Sequence, residues 1–425
     1  MLDLKFIREN PELVKTAVMV KAEKSDIDAI IELDTKRRNL IGESENLKAR
    51  KNLVSKEIAG TKKQGNDVSS LVAEMREVGD KIDELTNSLR DIETKLNAAL
   101  LTVPNIPHAD VPIGKDESAN KIIRTVGAPR KFDFKVRPHW EIGEIIGALD
   151  IPRGVKISGS GFYALTGYGA KLERALINFM LDLHTTEHGY KEVMIPYIAG
   201  APAMIGSAQL PKLSEEMYHI QGDDLYLIPT AEVPITNLHA GETLKVDDLP
   251  KYFCAFSPCF RREAGSYGKD VRGITRVHQF HKVEMVKIVE PETSYEELEK
   301  LLANAEAVLQ KLELAYRVKL LCTGDLSFAA AKCYDLEAYA PGMESWLEVS
   351  SCSNFESFQS RRMNLRYRPQ PGAKPEFVHT LNGSGLALPR TVIAILENYQ
   401  QADGSVVIPH ALRPYMHGLT KMEPI

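Results

Sequence analysis

One short stretch in the second half of the chain concentrates charged and aromatic residues. Arg261 and Glu263 open this stretch, and Arg276, Phe280 and Glu284 close it. Guanidinium groups pair with phosphate and carboxylate oxygens through two hydrogen bonds at once, which lysine cannot do. An aromatic ring can stack on a purine, and a carboxylate can pair with an ammonium group. Together these side chains suit a site for ATP and a small zwitterion.

Any nucleotide must be held here by side chains, because the sequence lacks a glycine-rich phosphate loop. It contains neither GxxxxGK[ST] nor a GxGxxG segment after a strand. Arginines must then bind the phosphates, and Arg390, which follows a Gly-Ser-Gly segment, joins Arg261 and Arg276 as a candidate. A single arginine near a strand is more often part of a surface ion pair. Three arginines inside recognisable blocks favour the phosphate interpretation.

Length and composition indicate a globular chain of about two or three domains. Its 425 residues are 44% hydrophobic and 26% charged, and the net charge is −5. Any basic surface for nucleic acid must therefore be local. The five cysteines form no CxxC pair and have no histidine at zinc-finger spacing, which predicts structural thiols in the reducing cytoplasm. The N-terminus is charged, and no window reaches the ~18 uncharged apolar residues of a membrane span.

The first quarter of the chain has the pattern of an antiparallel coiled coil. Apolar residues alternate steps of four and three in the second helix and repeat every seven residues in the first. Gly60–Asp67 predicts the turn between them, and two helices of about 30 residues make an arm of roughly 45 Å. The apolar seam of this arm, over residues 27–100, consists of Ile30, Leu33, Leu40, Leu47, Val54, Ile58, Leu71, Met75, Val78, Ile82, Leu85, Leu89, Ile92, Leu96 and Ala99.

The seam of the first helix is the weaker one, since Arg37, Ser44 and Lys51 occupy its in-between positions. Two interpretations of the arm stay open: a dimerisation or spacer coil, and an arm that grips RNA. The second is favoured by basic residues that gather on the first helix and the turn, where they could contact phosphates. These residues are Lys36, Arg37, Arg38, Lys48, Arg50, Lys51, Lys56, Lys62 and Lys63.

A proline-containing linker separates the arm from a mixed pattern of helices and strands, because proline cannot continue a helix. Leu172–His188 predicts a helix with one apolar face. Glu192–Ile198 predicts a short buried strand ended by proline, and Asp224–Ile228 and Lys282–Ile288 predict further strands. This pattern favours a mainly antiparallel sheet flanked by helices, so the expected fold class is α+β.

Several blocks resemble, in order, the motifs of class II aminoacyl-tRNA synthetases. Arg174–Pro196 resembles motif 1, whose proline ends a strand at the dimer interface. Phe260–Glu284 resembles motif 2, and Gly383–Arg390 resembles motif 3. The blocks that resemble the bacterial type of seryl-tRNA synthetase in particular are Thr230–Glu232, Tyr334–Glu337, Glu348–Asn354 and Phe358–Arg362. The resemblance covers essentially the whole chain, including the arm.

The resemblance implies a role for each residue of the nucleotide site. Arg261 would bridge the α-phosphate and the substrate carboxylate, Glu263 would bind the adenine amino group, and Phe280 would stack on the ring. Arg276 and Arg390 would hold the β- and γ-phosphates, and Arg261 and Arg390 are the predicted catalytic residues. The full predicted ATP-binding set is Arg261, Arg262, Glu263, Arg276, Val277, Phe280, Glu348, Val349, Ser350, Ser351 and Arg390.

The resemblance also implies a Mg²⁺ ion and a serine site. Glu348 and Ser351 would bind Mg²⁺, which prefers oxygen ligands. Taken alone, Glu348 would more often be a solvated carboxylate, and Thr230 would more often cap the helix after it. Which of Glu284, Ser384 or Thr230 binds the serine hydroxyl stays open. The predicted serine site is Thr230, Ala231, Glu232, Glu284 and Ser384.

The implied activity is the ATP-dependent activation of L-serine and its transfer to tRNA(Ser), with tRNA(Sec) as a second acceptor by family analogy. The implied protein is a cytoplasmic homodimer. Its predicted parts are a tRNA-binding domain with the arm (1–105), a linker (106–125) and a class II catalytic domain (126–425). Two alternatives remain: an amino-acid:carrier-protein ligase, which is expected to lack the arm, and a coiled-coil adaptor with a decayed domain, against which the intact arginines and glutamates speak.

Overall fold

The structure, a computed structural model, describes residues 1–264 and 272–425. Residues 265–271, within the segment that resembles motif 2, lie outside the described residues. Contacts between residues divide the chain into two compact units, which we call the arm unit and the sheet unit. The arm unit comprises Leu2–Met19 and Glu23–Pro104, and the sheet unit comprises Met1, Val20–Ala22 and Asn105–Ile425.

Helices build the arm unit, and the longest begins at a capped residue. The Asp26 side chain accepts a hydrogen bond from the Ala29 amide, which satisfies one of the unpaired donors at the helix start. The predicted turn begins too early: the helix continues to Lys63, since an exposed glycine such as Gly60 costs a helix only about 1 kcal/mol. The helices are α1 (Leu4–Glu9), α2 (Pro11–Val20), α3 (Ile27–Lys63) and α4 (Ser69–Leu100).

The predicted apolar seam is confirmed as the contact between α3 and α4. Every seam residue of the two helices is buried or half-buried, and Ile30 and Leu96 are the most deeply buried. Of the polar residues at the in-between positions of α3, Arg37 forms an ion pair across the two helices. Arg37 Nε donates to a Glu93 carboxylate oxygen of α4 at 3.0 Å. The heptad pattern therefore describes the arm correctly, including its weaker helix.

One eight-stranded sheet organises the sheet unit. Among the described residues the strands are β1 (Lys121–Val126), β2 (Leu149–Asp150), β3 (Ala164–Leu165), β4 (Lys191–Glu192), β5 (Ile198–Gly200), β6 (His219–Ile220), β7 (Leu225–Leu227), β8 (Thr243–Lys245), β9 (Lys251–Phe260), β10 (Gln279–Val289), β11 (Tyr316–Leu320), β12 (Lys332–Ala340), β13 (Ser345–Asn354), β14 (Arg366–Arg368), β15 (Glu376–Phe377), β16 (His379–Ala387), β17 (Val406–Val407) and β18 (Lys421–Met422). The order in the large sheet is β1-β11-β12-β13-β16-β10-β9-β4. Neighbouring strands are antiparallel except β4 and β9, which confirms the predicted α+β class.

The helices of the sheet unit leave part of one sheet face open. Helix α10 packs on the strands at the face that carries Lys287, whose Nζ lies 2.8 Å from a Glu297 carboxylate oxygen. Residues of the opposite parity on β10 point to the other side of the sheet. The helices are α5 (His139–Ile145), α6 (Ile151–Ser158), α7 (Gly167–Thr186), α8 (Ala201–Gly206), α9 (Glu232–Thr236), α10 (Ser294–Lys311), α11 (Phe358–Met363) and α12 (Leu388–Tyr399).

The predicted elements near the start of the sheet unit need correction. The helix predicted over Leu172–His188 is present, but it begins earlier and ends two residues sooner, as α7. The buried strand predicted over Glu192–Ile198 is wrong. Strand β4 ends at Glu192, and Met194 is 94% exposed. Ile195 is buried and Val193 half-buried, but Met194, Tyr197 and Ile198 are exposed, so the apolar run indicated burial for only part of the segment.

Two further expectations concern the membrane and the cysteines. In the part of the chain that the structure describes, no helix is long and apolar enough to cross a membrane. All five cysteines are buried free thiols. Burial raises the pKa of Cys254 and of Cys352 to about 12, so neither is a reactive thiolate near neutral pH.

Candidate active site

Strand β10 places three side chains of the charged and aromatic stretch, residues 261–284, on one face of the sheet. Phe280, Lys282 and Glu284 are spaced two apart, so they point to the same side. Small residues, Cys259, Ser257 and Ala255, lie opposite them on β9. On the other neighbour, β16, Ser384 is paired with Glu284. The alternation therefore lines up an aromatic ring, an ammonium group and a carboxylate along one strand.

Arg261 follows directly after β9 and lies beside this row. Its amide donates to the His278 carbonyl at 2.9 Å, which fixes the backbone against the end of β10. Its guanidinium carbon lies 5.2 Å from the centre of the Phe280 ring, and its Nε donates to the Pro229 carbonyl at 3.3 Å. The structure thus brings together the arginine and the ring predicted for the α-phosphate and the adenine.

The predicted adenine-binding carboxylate is paired with a predicted phosphate-binding arginine. Glu263 and Arg276 form an ion pair with 2.5 Å between Oε2 and Nη1. The neighbouring Arg262 is held through its backbone, since its amide donates to the Glu216 carbonyl at 2.9 Å. A Glu216 carboxylate oxygen also accepts from the Ala264 amide at 3.1 Å. Glu216, which the sequence did not single out, therefore anchors the start of the segment that resembles motif 2.

Arg390 reaches the same face from helix α12. Its Nη1 donates to the Glu348 carbonyl at 2.8 Å and lies 3.4 Å from a Glu348 carboxylate oxygen. Its Nε donates to the Thr275 carbonyl, one residue before Arg276. Both arginines predicted to bind phosphates, Arg276 and Arg390, are thus paired with a carboxylate. A triphosphate that binds both arginines must compete with Glu263 and Glu348.

A β-bulge decides which residues of β13 face the open side. On a regular strand, Glu348 and Ser351 would point to opposite faces, because they are three residues apart. The pairing with β12 shifts at this point, and Val349 is the extra residue between Glu348 and Ser350. Glu348 is therefore exposed and Ser351 half-buried on the same side, while Val349 and Ser350 are buried.

The donors that this bulge brings together suit a hard cation such as Mg²⁺. Glu348 offers a carboxylate and Ser351 a hydroxyl, which are the oxygen ligands such ions prefer. Asp335 is paired with Ser351 across the two strands. Burial, and next the charge of Glu348, hold the pKa of Asp335 well above its usual range. Among residues 1–264 and 272–425, no group of three or more His, Cys, Asp or Glu could hold a metal by itself.

Two buried carboxylates form a second part of the site, which we call the carboxylate pocket. Asn382 Nδ2 donates to Glu232 Oε2 at 3.1 Å and to Glu284 Oε1 at 2.8 Å, so one amide joins both acids. Thr230 Oγ1 donates to Glu284 Oε2 at 3.2 Å. Gln359 Nε2 donates to Glu232 Oε1 at 2.7 Å. The residues of the pocket are Thr230, Glu232, Lys282, Glu284, Gln359, Asn382 and Ser384.

The Thr230 hydroxyl contacts both residues that carry the carboxylates. It accepts a hydrogen bond from the Glu232 amide at 3.2 Å and donates to Glu284 Oε2 at 3.2 Å. It does not cap helix α9, whose N-cap residue is Ala231 and has no side-chain hydrogen bond. Glu232 is buried, and this burial, together with the charge of Glu284, raises its pKa to about 7. The pocket therefore holds one carboxyl group that can change charge near neutral pH.

Some predicted site residues have side chains that lie in the core. Ala231 and Val349 are at most 1% exposed, and Val277 is 6% exposed. Ser350 is also buried, and its hydroxyl donates to the Ser384 carbonyl at 2.6 Å, which links β13 to β16. These residues could reach a ligand only through backbone atoms. Their side chains pack in the core behind the site.

The sequence predictions missed Lys282, Asn382, Gln359 and Asp335. Two of them had a detectable signal, because Lys282 alternates with Glu284 and Asn382 alternates with Ser384 on their strands. Gln359 and Asp335 lie in blocks that carried the family resemblance, but nothing local assigned them a role. Gln359 contacts Glu232 from a distant segment, and Asp335 faces Ser351 only through the register of β12 with β13.

Comparisons with known proteins identify the family of the chain. A model for the "tRNA synthetase class II core domain (G, H, P, S and T)" matches residues 216–399, and one for the "Seryl-tRNA synthetase N-terminal domain" matches residues 1–107. The fold is that of a class II aminoacyl-tRNA synthetase. The serine–tRNA ligase of Thermomicrobium roseum is 57% identical over 98% of this chain and 94% of its own length. The chain belongs to the seryl-tRNA synthetase family.

Two more relatives extend the agreement to the full length of the chain. The serine–tRNA ligase of Geobacter sulfurreducens is 56% identical over 99% of this chain and all of its own length. The crystal structure of a seryl-tRNA synthetase from Pyrococcus horikoshii complexed with ATP has a TM-score of 0.95, with 41% identity and full coverage of both chains. The arm and the sheet unit are thus both features that this chain shares with such enzymes.

Proposed function

We propose that the chain activates L-serine with ATP at the open face of the sheet unit and transfers the seryl group to tRNA(Ser). This is the activity of the family to which the chain belongs. The observation that carries the residue assignments is the convergence of Arg261, Arg276 and Arg390 with a pocket of two carboxylates. These groups come from segments far apart in the chain and share one face of the sheet.

In the first step the serine carboxylate attacks the α-phosphorus of ATP, and the bond to the leaving pyrophosphate breaks. Arg261 would hold both reacting groups in place and stabilise the charge that spreads over the α-phosphate in the transition state. Arg276 and Arg390 would release Glu263 and Glu348 and bind the β- and γ-phosphates. Glu263 would then accept a hydrogen bond from the adenine amino group, and Phe280 would stack on the ring.

Mg²⁺ belongs to this proposal, with Glu348 and Ser351 as the protein ligands. When bound, the ion would neutralise charge on the phosphate oxygens. Two protein ligands leave most of its coordination positions to ATP and water, as is usual for this ion. The roles of Glu348 and Arg390 are linked, because a carboxylate that binds the ion no longer has to pair with the guanidinium group.

Selectivity for serine would come from the carboxylate pocket. It is small and polar, and its acceptors are held in place by amides and a hydroxyl. A pocket that must hydrogen-bond a substrate hydroxyl rejects analogues without it, because its own buried groups lose a partner. We propose that Glu232 pairs with the serine ammonium group and that Glu284 accepts from its hydroxyl, with Ser384 nearby.

The raised pKa of Glu232 predicts a pH-dependent affinity for serine. In the free pocket the pKa of Glu232 is about 7, so the carboxyl must lose a proton when the ammonium group binds. We expect the KM for serine to fall as pH rises toward 7, by about tenfold per pH unit below the pKa, and to level off above it. Burial and the charge of Glu284 raise the pKa of Glu232, and Gln359, Lys282 and Arg261 partly offset this rise.

Pyrophosphate exchange measured from pH 5.5 to 8.5 tests this prediction, with Glu232→Gln as the control that should show a high KM without the slope. A serine KM that stays constant below pH 7 would contradict it.

The stability of the folded protein depends on the same carboxyl group, but rising pH weakens it while serine binding improves. The folded protein favours the protonated acid, so the contribution of Glu232 to the unfolding free energy decreases as pH rises from about 4.5 to about 7.

The arm would carry the tRNA. Several basic residues of α3 are paired within the arm unit: Lys36 with Glu32, Arg37 with Glu93, Arg38 with Asp34 and Arg50 with Glu74. The exposed lysines of the distal half have no ion pair among the described residues, so their charge is available for phosphates. These are Lys48, Lys51, Lys56, Lys62 and Lys63.

Further parts of the proposal follow from the family. The second acceptor is tRNA(Sec), which is charged with serine first. A homodimer is proposed through the segment that resembles motif 1, where Met194, Tyr197 and Ile198 expose apolar surface. The proposed parts are a tRNA-binding domain (1–105), a linker (106–125) and a catalytic domain (126–425), and the proposed compartment is the cytoplasm.

Serine-dependent exchange of pyrophosphate into ATP, followed by charging of tRNA(Ser), tests the proposed function. We expect exchange with L-serine and at least a hundredfold less with glycine or alanine, because both lack the hydroxyl that the pocket must satisfy. Exchange with glycine or alanine but not with serine would contradict the proposal. Exchange with serine followed by transfer only to a carrier protein would favour the carrier-protein ligase.

A further inference from the structure

Lys282 lies inside the carboxylate pocket and has no role in the reaction described above. Its side chain is 8% exposed. Its Nζ donates to Thr230 Oγ1 at 3.0 Å and forms a close ion pair with Glu284 Oε2. A buried ammonium group is costly unless it is paired, so this cation must be matched to the acids around it.

The two carboxylates of the pocket have different partners, because Lys282 pairs only with Glu284. Glu284 Oε1 accepts from Asn382, and Oε2 accepts from both Thr230 and Lys282. Glu232 accepts from amides, those of Gln359 and Asn382. The two carboxylates are thus bridged by the same asparagine, but only Glu284 has a cation in contact among the described residues. Glu232 is therefore the carboxyl group that is left to pair with an incoming ammonium group.

With Glu232 ionised, the charges of the pocket and of the neighbouring Arg261 sum to zero. Glu232 and Glu284 are then two anions, and Lys282 and Arg261 are two cations. A substrate with one ammonium group and one carboxylate leaves this balance unchanged. A substrate with a second ammonium group at the position of the serine hydroxyl would place that cation against Lys282, which already pairs with Glu284.

We propose that Lys282 is a specificity-determining residue that makes Glu284 an acceptor for a neutral hydroxyl and excludes amino acids with a β-ammonium group. The inference rests on the proposed serine site. The excluded class is represented by L-2,3-diaminopropionate, which is serine with an amine in place of the hydroxyl. Without the Lys282 charge, Glu284 becomes an unmatched buried anion, and this diamino acid supplies the missing cation.

The test compares Lys282→Met with Lys287→Met in the full-length chain. Methionine matches the length of the lysine stem without its charge. Lys287 lies on the same strand, is also buried and pairs with Glu297, but it faces α10 instead of the pocket. The measurement is kcat/KM in pyrophosphate exchange with L-serine and with L-2,3-diaminopropionate at neutral pH. Thermal unfolding of each variant checks that it is folded.

For Lys282→Met we expect the preference for serine over the diamino acid to fall by about 10²-fold, from the loss of one close like-charge contact. Lys282→Arg keeps the charge and should keep most of the preference. Lys287→Met should leave the ratio of the two substrates unchanged, whatever it does to stability. A Lys282→Met enzyme whose preference equals that of Lys287→Met would overturn the inference and make Lys282 a structural ion-pair partner.

A double variant keeps the inference testable if Lys282→Met does not fold. Lys282→Met combined with Glu284→Gln removes both charges of the pair, which relieves the unmatched buried anion. We expect it to discriminate against the diamino acid again, and acceptance of the diamino acid by this variant would overturn the inference. Failure of the proposed function is distinguishable, since the unsubstituted chain would then show no exchange with serine at all.

Discussion

Replacing Arg261 by alanine is expected to reduce serine-dependent pyrophosphate exchange by about 10²–10³-fold, the effect of removing one preorganised donor from a transition state. The structure supplies the reason. The Arg261 backbone is tied to His278, and its guanidinium group lies beside Phe280 and the Pro229 carbonyl. It is therefore positioned before substrates arrive. Water would not replace a fixed cation at the α-phosphate.

The loss should appear in kcat more than in the KM for ATP, because Arg276 and Arg390 still bind the outer phosphates. Steady-state exchange with varied ATP and serine separates these constants. Arg368→Ala is the matched control, since Arg368 is exposed and its side chain donates to the nearby Ala373 carbonyl. An Arg261→Ala enzyme within a few-fold of the parent would remove Arg261 from its assigned role.

Removing the distal arm is expected to abolish tRNA charging while leaving adenylate formation nearly intact. Replacement of residues 44–83 by a short Gly-Ser turn cuts α3 and α4 at opposed positions, as the pairs Arg50–Glu74 and Glu43–Lys81 indicate. The pair of Arg37 with Glu93 and the buried base of the arm stay in place. The cut removes all the exposed lysines named above and leaves Lys36, which is paired with Glu32.

Charging of tRNA(Ser) should fall by at least about 10²-fold, since several phosphate contacts are lost together. Pyrophosphate exchange, which needs no tRNA, should stay within a few-fold of the parent. As a milder control, glutamine at Lys62 and Lys63 in the intact arm should weaken tRNA binding and make it less sensitive to salt. A truncated chain that loses exchange and charging to the same extent would show that the arm is needed for folding.

The arm illustrates how far local pattern reaches. Its seam repeats every seven residues, and such a repeat is buried between two paired helices independently of the rest of the chain. Each seam residue was therefore predictable. The end of α3 was predicted too early, because Gly60 is exposed and the helix tolerates it. The blocks around Arg261 and Arg390 were recognisable for a related reason: their residue types and spacing alone limit the chemistry they can do.

The sheet unit shows where local pattern fails. The apolar residues of Glu192–Ile198 predict a buried strand, yet Met194 is exposed, because burial depends on which surfaces pack together. The shared face of Glu348 and Ser351 depends on a bulge that appears only in the pairing of β12 with β13. Neither feature can be read from its own segment.

By itself the sequence determined the arm, the fold class and the residue types of the site, because periodicity and motif spacing are local properties of the chain. Only the tertiary structure decided that Asn382 bridges Glu232 and Glu284 and that Lys282 pairs with one of them. The contacts of Asn382 join segments that lie far apart in the sequence, whereas Lys282 and Glu284 lie two residues apart on one face of β10. The energies of these contacts depend on burial and on neighbouring charge, which exist only after the sheet has formed.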